Sequence, residues 1–118
     1  MKKKILCFDL DNVICFTDKR KNYAKSKPNY KSIKLINELY EKKKYIIKIY
    51  TARGMSKFNG NKKKVISAYK KLTIDQLKKW KVRYDILVLC KTSYDIFVDD
   101  KSFGFKNIWQ RDFKKEYL

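Results

Sequence analysis

The sequence contains no histidine, which excludes histidine-based acid–base catalysis and histidine-ligated zinc. Its three cysteines, Cys7, Cys15 and Cys90, have no metal-ligand spacing, and their odd number suits a reducing cytoplasm better than a disulfide framework. One proline and three glycines provide no flexible linker between domains. Long apolar runs are missing too: none approaches the ~20 residues needed to cross a bilayer, so no membrane partner is expected. The Met1-Lys2-Lys3-Lys4 start resembles the basic end of a signal peptide. The apolar run behind it is interrupted by Asp9 and Asp11, however, so secretion is rejected and a cytoplasmic location expected. Acids are scarce, 12 against 31 basic residues, giving a formal net charge of +19. Arginine is scarce as well: Arg20, Arg53, Arg83 and Arg111 are its only occurrences, and the other 27 basic residues are lysines. Readers of phosphate backbones and bases usually recruit the bidentate arginine fork. Lysine spread evenly beside many Asn, Ile and Tyr residues reads as the signature of an AT-rich genome more than as a selected polyanion surface.

What remains is enough for one folded domain. The 118 residues are 44% hydrophobic and 15% aromatic, which suits a small core and leaves no length for a second lobe. Ile5 to Asp9 is short, apolar and flanked by polar residues, and reads as a buried strand. Residues 12 to 28 read as a loop. Ile33, Ile36, Leu39 and Tyr40 recur at helical spacing, which predicts a helix from about Asn29, its cap, to Lys43. Tyr45 to Tyr50 is the second strand, and a loop covers Met55 to Asn61. A short helix is expected over Lys63 to Lys70, and Thr73-Ile74-Asp75-Gln76 has the spacing of a capping box opening another turn through Leu77 and Trp80. Ile86 to Leu89 and Asp95 to Asp99 complete the strands, with Asn107-Ile108-Trp109 as a possible edge strand. Strands alternating with helices predict a small three-layer α/β sandwich on a mainly parallel, Rossmann-like sheet. Cys7, Cys90, Trp80 and Trp109 are read as packing residues, and Asp95 as structural.

The chemistry lies where the apolar runs stop. Asp9-Leu10-Asp11 ends the first run and Asp99-Asp100 the last. Paired carboxylates beside a buried strand repel unless a cation or a shared proton intervenes. Ligands of open α/β sheets sit at the carboxyl ends of the strands, so the two pairs could share one crevice, and converging acids there would hold magnesium. Thr51 and Lys91 fall at the two strand ends between. Together these are the parts for phosphoryl transfer through an aspartyl-phosphate: a carboxylate attacks phosphorus and a second protonates the leaving oxygen. A hydroxyl and an ammonium hold the equatorial oxygens, and magnesium offsets the charge.

In Asp9-Leu10-Asp11, Thr51, Lys91 and Asp99-Asp100, in that order and over nearly the whole chain, the sequence resembles the haloacid dehalogenase superfamily of phosphohydrolases. The resemblance implies a magnesium-dependent phosphatase. Asp9 would be nucleophile and magnesium ligand. Asp11 would be general acid and then base, binding the metal through its backbone carbonyl. Thr51 would hydrogen-bond the phosphoryl group and Lys91 neutralise nucleophile and phosphate. Asp100 would ligate magnesium directly, with Asp99 orienting water beside it. Asn12-Val13 stands where Gly-Thr is commonest. Lys101 is the alternative to Lys91, and Arg53 either contacts substrate phosphate or is solvated.

Only about 40 residues separate Asp11 from Thr51, too few for a helix and a cap domain. A capless enzyme takes its lid from another subunit, which makes a homo-oligomer an expectation, or acts on a large substrate with an accessible phosphate. The stretch from Leu77 to Phe103 is further similar to small capless phosphatases of capsule and surface-polysaccharide biosynthesis, implying a phosphorylated sugar or small metabolite as substrate. Two alternatives stay open. One is a polynucleotide end phosphatase whose lysines track nucleic acid. The other is a non-enzymatic receiver-like module, although no aspartate follows Tyr50 as a receiver requires.

Overall fold

The computed structural model describes residues 2–118. Three parallel strands form the sheet in the order β1 (Lys4–Phe8), β4 (Tyr45–Tyr50), β5 (Ile86–Val88). The register aligns Leu6 with Ile47 and Phe8 with Ile49, then Ile49 with Leu87. Between β1 and β4 run a two-stranded antiparallel ribbon, β2 (Cys15–Phe16) with β3 (Lys27–Pro28), and helix α1 (Tyr30–Glu41). Helix α2 (Lys62–Lys79) links β4 to β5, and α3 (Trp109–Tyr117) ends the chain. This is the small α/β sandwich expected, with parallel strands joined by helical crossovers.

Alternation within the strands decides which face is buried. Leu6, Phe8, Ile47 and Ile49 are buried, whereas Ile5 and Cys7 are exposed, so β1 is covered on one face only. The expectation that Cys7 packs in the core fails with the same alternation, because a period of two turns every second residue outward. Helix α1 lays Ile33, Ile36 and Leu39 into that core, and its cap is the expected one: the Asn29 side chain accepts a hydrogen bond from the Ser32 N–H. In α3, Trp109, Phe113 and Tyr117 recur every four residues. Phe113 meets Phe8 at 5.5 Å between ring centroids, and Phe113 also packs on Tyr117 at 4.6 Å. Trp80 and Trp109 are both buried, as expected of packing anchors.

Four sequence-based expectations give way. The loop over residues 12 to 28 contains the β2–β3 ribbon. The short helix and the capping box merge into α2, whose cap is Asn61, accepting from the Lys64 N–H; Thr73 and Gln76 lie inside the helix and buried. No glycine or proline breaks the chain between Lys70 and Thr73, so nothing ends the first helix there. Residues 95 to 99 form no strand: Ile96 and Val98 are 83% and 91% exposed, and Asp99 caps a local turn. Trp109 opens α3 in place of an edge strand.

Candidate functional site

A cavity of about 440 Å³ opens at the carboxyl end of β1. Asp9 and Asp11 line it, with Thr17, Lys19, Lys21, Tyr23, Ser56 and Tyr94 among its other walls. The turn after β1 builds this end. The Leu10 carbonyl accepts from the N–H groups of Val13, Ile14 and Cys15, and the chain reverses at Asn12 with φ of +65°, a left-handed conformation that asparagine tolerates. Leu10 and Ile14 pin the turn from below, both fully buried. The two carboxylates therefore stand on a tightly bonded loop above the core.

The acids differ in what holds them. Among the described residues Asp9 accepts one hydrogen bond, from the Leu10 N–H to Oδ1 at 2.8 Å. Burial pushes its pKa above the ordinary carboxylate range, and the Leu10 N–H and the Lys91 charge only partly offset that. Asp11 is gripped chiefly through Oδ1. Thr17 donates its hydroxyl to Oδ1 at 2.5 Å, and Arg53 donates from Nη2 to Oδ1 at 3.0 Å and from Nε to both oxygens at 3.1 and 3.0 Å. Arg53 leaves the carboxyl end of β4 and is 1% exposed. Its remaining donors reach Thr73 Oγ1 at 3.1 Å and Gln76 Oε1 at 2.6 Å on α2, and the Cys15 sulfur at 3.7 Å. The solvated alternative for Arg53 is thus overturned. Contact with substrate phosphate does not fit either, since the protein occupies the guanidinium on every edge.

Thr51 sits where β4 ends, 1% exposed, and its hydroxyl oxygen accepts from the Arg53 N–H at 3.2 Å. Lys91 is tied to it through the backbone: its N–H donates to the Thr51 carbonyl at 3.0 Å, extending the β4–β5 ladder. Cys90, just before it, has φ of +67°. The Lys91 ammonium rests among the rings of Tyr50, Tyr94 and Phe97, 5.2 to 5.6 Å from their centroids. Burial lowers its pKa, but a hydrogen bond with Tyr94 and the Asp9 charge outweigh that and leave it raised. Cys15 stays a thiol, because burial and then the neighbouring Asp11 charge push its pKa up.

Asp99 and Asp100 do not join this group. Both are exposed, and neither lines the cavity. The Lys101 N–H bonds Asp99 Oδ1 at 2.9 Å and is the first cause that lowers the Asp99 pKa. Among the described residues no three acids or thiols converge as metal ligands. The expected four-acid crevice is therefore reduced to the Asp9–Asp11 pair, because the segment carrying the second pair makes no ladder to β5. Magnesium needs only one or two carboxylates, with water and phosphate oxygens completing the octahedron. Asp9 fits that demand: it is part-buried, takes a single hydrogen bond, and bears a desolvation penalty that a cation would relieve. The Asp11 carboxylate does not, its oxygens being bonded to Arg53 and Thr17.

Thr17, Tyr23, Thr73, Gln76 and Tyr94 went unrecognised in the sequence. The one available signal was Thr73 with Gln76: two polar residues three apart, on the helix stripe that Leu77 and Trp80 continue into the core.

No protein-family model and no curated protein matches the chain. Among solved structures, the fold is similar to a structural-genomics target from Vibrio cholerae, at 22% identity and a TM-score of 0.74 over 96% of this chain and 98% of that one. It is also similar to part of a chain in the Pnkp1/Rnl/Hen1 RNA repair complex, in two structures. Identities there are 18% and 19% and TM-scores 0.53 and 0.54; 98% of this chain is matched but only 32% and 34% of that chain. This chain thus spans about a third of the length of that chain of the complex. At such identities the likeness establishes a shared small α/β fold. Among the described residues, no helix is long and apolar enough to cross a membrane.

Proposed function

We propose that this chain is a phosphomonoester hydrolase that works through Asp9 as nucleophile and Asp11 as proton carrier. The carrying observation is the asymmetry of the pair. Asp9 is nearly free of hydrogen bonds in a polar cavity, and Asp11 beside it is held rigid by Arg53 and Thr17. In the reaction so read, an Asp9 oxygen attacks phosphorus while the ester P–O bond breaks, and a proton carried on Asp11 Oδ2, the oxygen that receives only Arg53 Nε, passes to the departing alkoxide. Water then attacks the phosphoryl group on Asp9, Asp11 accepts the proton, and inorganic phosphate leaves. Lys91 balances charge beside Asp9, and the cavity walls orient the ester. Magnesium held by Asp9, with the Asp11 backbone carbonyl and the substrate itself, would supply Lewis-acid charge neutralisation. The resemblance to haloacid dehalogenase phosphohydrolases supports the same roles, and a phosphorylated sugar or small metabolite is the substrate class it favours.

A second reading concerns the substrate only. Lys19 and Lys21 line the cavity, and the fold is shared with part of an RNA repair protein, which favours a polynucleotide phosphate end. The test is hydrolysis of a chromogenic aryl phosphate with magnesium, with EDTA, and by Asp9→Asn. Magnesium-dependent turnover that Asp9→Asn abolishes is expected, and turnover retained in that variant would refute the mechanism. Binding of single-stranded RNA that weakens steeply with salt, and hydrolysis of its terminal phosphate, would select the polynucleotide reading.

A further inference from the structure

We propose that Arg53, anchored by Thr73 and Gln76 of α2, is a positioning residue that sets the orientation of the Asp11 carboxylate in the cavity. The inference rests on the phosphohydrolase reading above. A guanidinium has five N–H donors. Here Nε–H is shared by the two Asp11 oxygens, the Nη1 hydrogens go to Thr73 and Gln76, and the Nη2 hydrogens go to Asp11 and the Cys15 sulfur. None is left for a ligand. The anchor is itself anchored: Gln76 Nε2 donates to the Tyr23 carbonyl at 2.6 Å, and the Tyr23 ring lies 5.0 Å from the guanidinium carbon. Chain from β4, α2 and the segment before β3 thereby closes around one cation.

The consequence falls on the two oxygens of Asp11. Oδ1 receives Thr17, both Nη2 and Nε of Arg53, and a long contact from Cys15 at 3.5 Å; Oδ2 receives Nε alone at 3.0 Å. Each carboxylate oxygen has two lone pairs, so only Oδ2 keeps capacity for a substrate oxygen or a water. The terminal torsion of aspartate is soft and would otherwise interchange the two oxygens freely. A fork reaching Asp11 on one side and α2 on the other removes that freedom. The ammonium of a lysine is a point charge and cannot span both. Displacing a reacting group by an ångström can cost on the order of 100-fold in rate.

The test uses the full chain and the variants Arg53→Lys, Gln76→Met and the milder Thr73→Val, each checked for an intact fold by its cooperative thermal transition. With an aryl phosphate and magnesium, kcat should fall on the order of 100-fold for Arg53→Lys and about 10-fold for Gln76→Met, while KM and competitive inhibition by inorganic phosphate hold. A rise in KM and in the phosphate inhibition constant, with kcat held, would make Arg53 a substrate ligand and overturn the proposal. So would unchanged kinetics in Arg53→Lys. A second readout needs no turnover. In the metal-free protein the Arg53 Nε–H resonance should exchange slowly with solvent and remain slow when inorganic phosphate is added, and Gln76→Met or Thr73→Val should speed its exchange. Exchange as fast as that of surface arginines, or exchange that phosphate accelerates, overturns the anchorage. If no phosphate ester is turned over, the phosphohydrolase reading falls alone, and this resonance still decides the role of Arg53.

Discussion

Replacing Arg53 by methionine removes the cation while keeping an unbranched apolar stem of similar length. Its side chain is fully buried and that of Asp11 retains 19% exposure, so water can recover part of the lost solvation of the carboxylate. Breaking a buried pair costs about 3–5 kcal/mol, and the partial exposure of Asp11 places this case at the lower end. Gln76 Oε1 also loses its donor in a buried setting, worth about 1–2 kcal/mol. Thr73 can turn its hydroxyl to a helix carbonyl one turn back and loses less. The sum is about 4 kcal/mol, a large part of the 5–15 kcal/mol expected of a domain this size. Urea unfolding followed by tryptophan fluorescence measures it, since Trp80 and Trp109 are both buried and become exposed on unfolding. The midpoint should drop with the slope unchanged. The thermal midpoint should fall by about 15 °C, at roughly 4 °C per kcal/mol. In an Asp11→Asn background the same change should cost about 2 kcal/mol less, the coupling expected of a close charge pair. A loss below about 1 kcal/mol, or no coupling to Asp11, would mean that the guanidinium is solvated and the network absent.

Asp9→Asn should abolish phosphate-ester turnover yet raise the thermal midpoint of the metal-free protein at neutral pH. The sign follows from burial, which raises the folded-state pKa of Asp9: its protonated form favours folding, and that contribution is complete below the unfolded pKa and lost as pH rises through the folded one. Wild type and Asp9→Asn should therefore converge in stability as pH falls, and a variant less stable than wild type at neutral pH would contradict this. Gly54→Ala should destabilise by about 2–3 kcal/mol in urea titrations, since glycine there has φ of +78° and an added Cβ would lie 2.6 Å from the Tyr69 ring. Near-neutral behaviour of Gly54→Ala would contradict the packing of Tyr69 against that turn.

Local pattern carried the first half of the molecule. The apolar run ending at Asp9, the helical spacing of Ile33, Ile36 and Leu39 behind Asn29, and the run to Tyr50 each form the element their periodicity implies. Those elements bury a face that can be counted from the sequence. The run Ile96-Phe97-Val98 failed the same logic, because an apolar stretch reports strand propensity while a strand's hydrogen bonds come from a neighbour. Thr73 and Gln76 misled for a related reason: capping-box spacing and same-face helical spacing are identical, and only the chain before Thr73 distinguishes them. At the site, Asp9 and Asp11 were legible because carboxylates behind a buried strand are costly. The role of Arg53 was not. Its partners lie 42 residues before it and 20 and 23 after it, a closure that no local window contains.

The central claim is that Asp9 carries the phosphoryl group. The most direct measurement is to mix the protein with magnesium and an aryl phosphate, quench in acid within one turnover, and locate by mass spectrometry any peptide that has gained a phosphoryl group. The account predicts a phosphorylated peptide containing Asp9, absent in Asp9→Asn and accumulating when Asp11→Asn slows its hydrolysis. Turnover without a phosphoenzyme in either protein, or a phosphoryl group on any other residue, would contradict it.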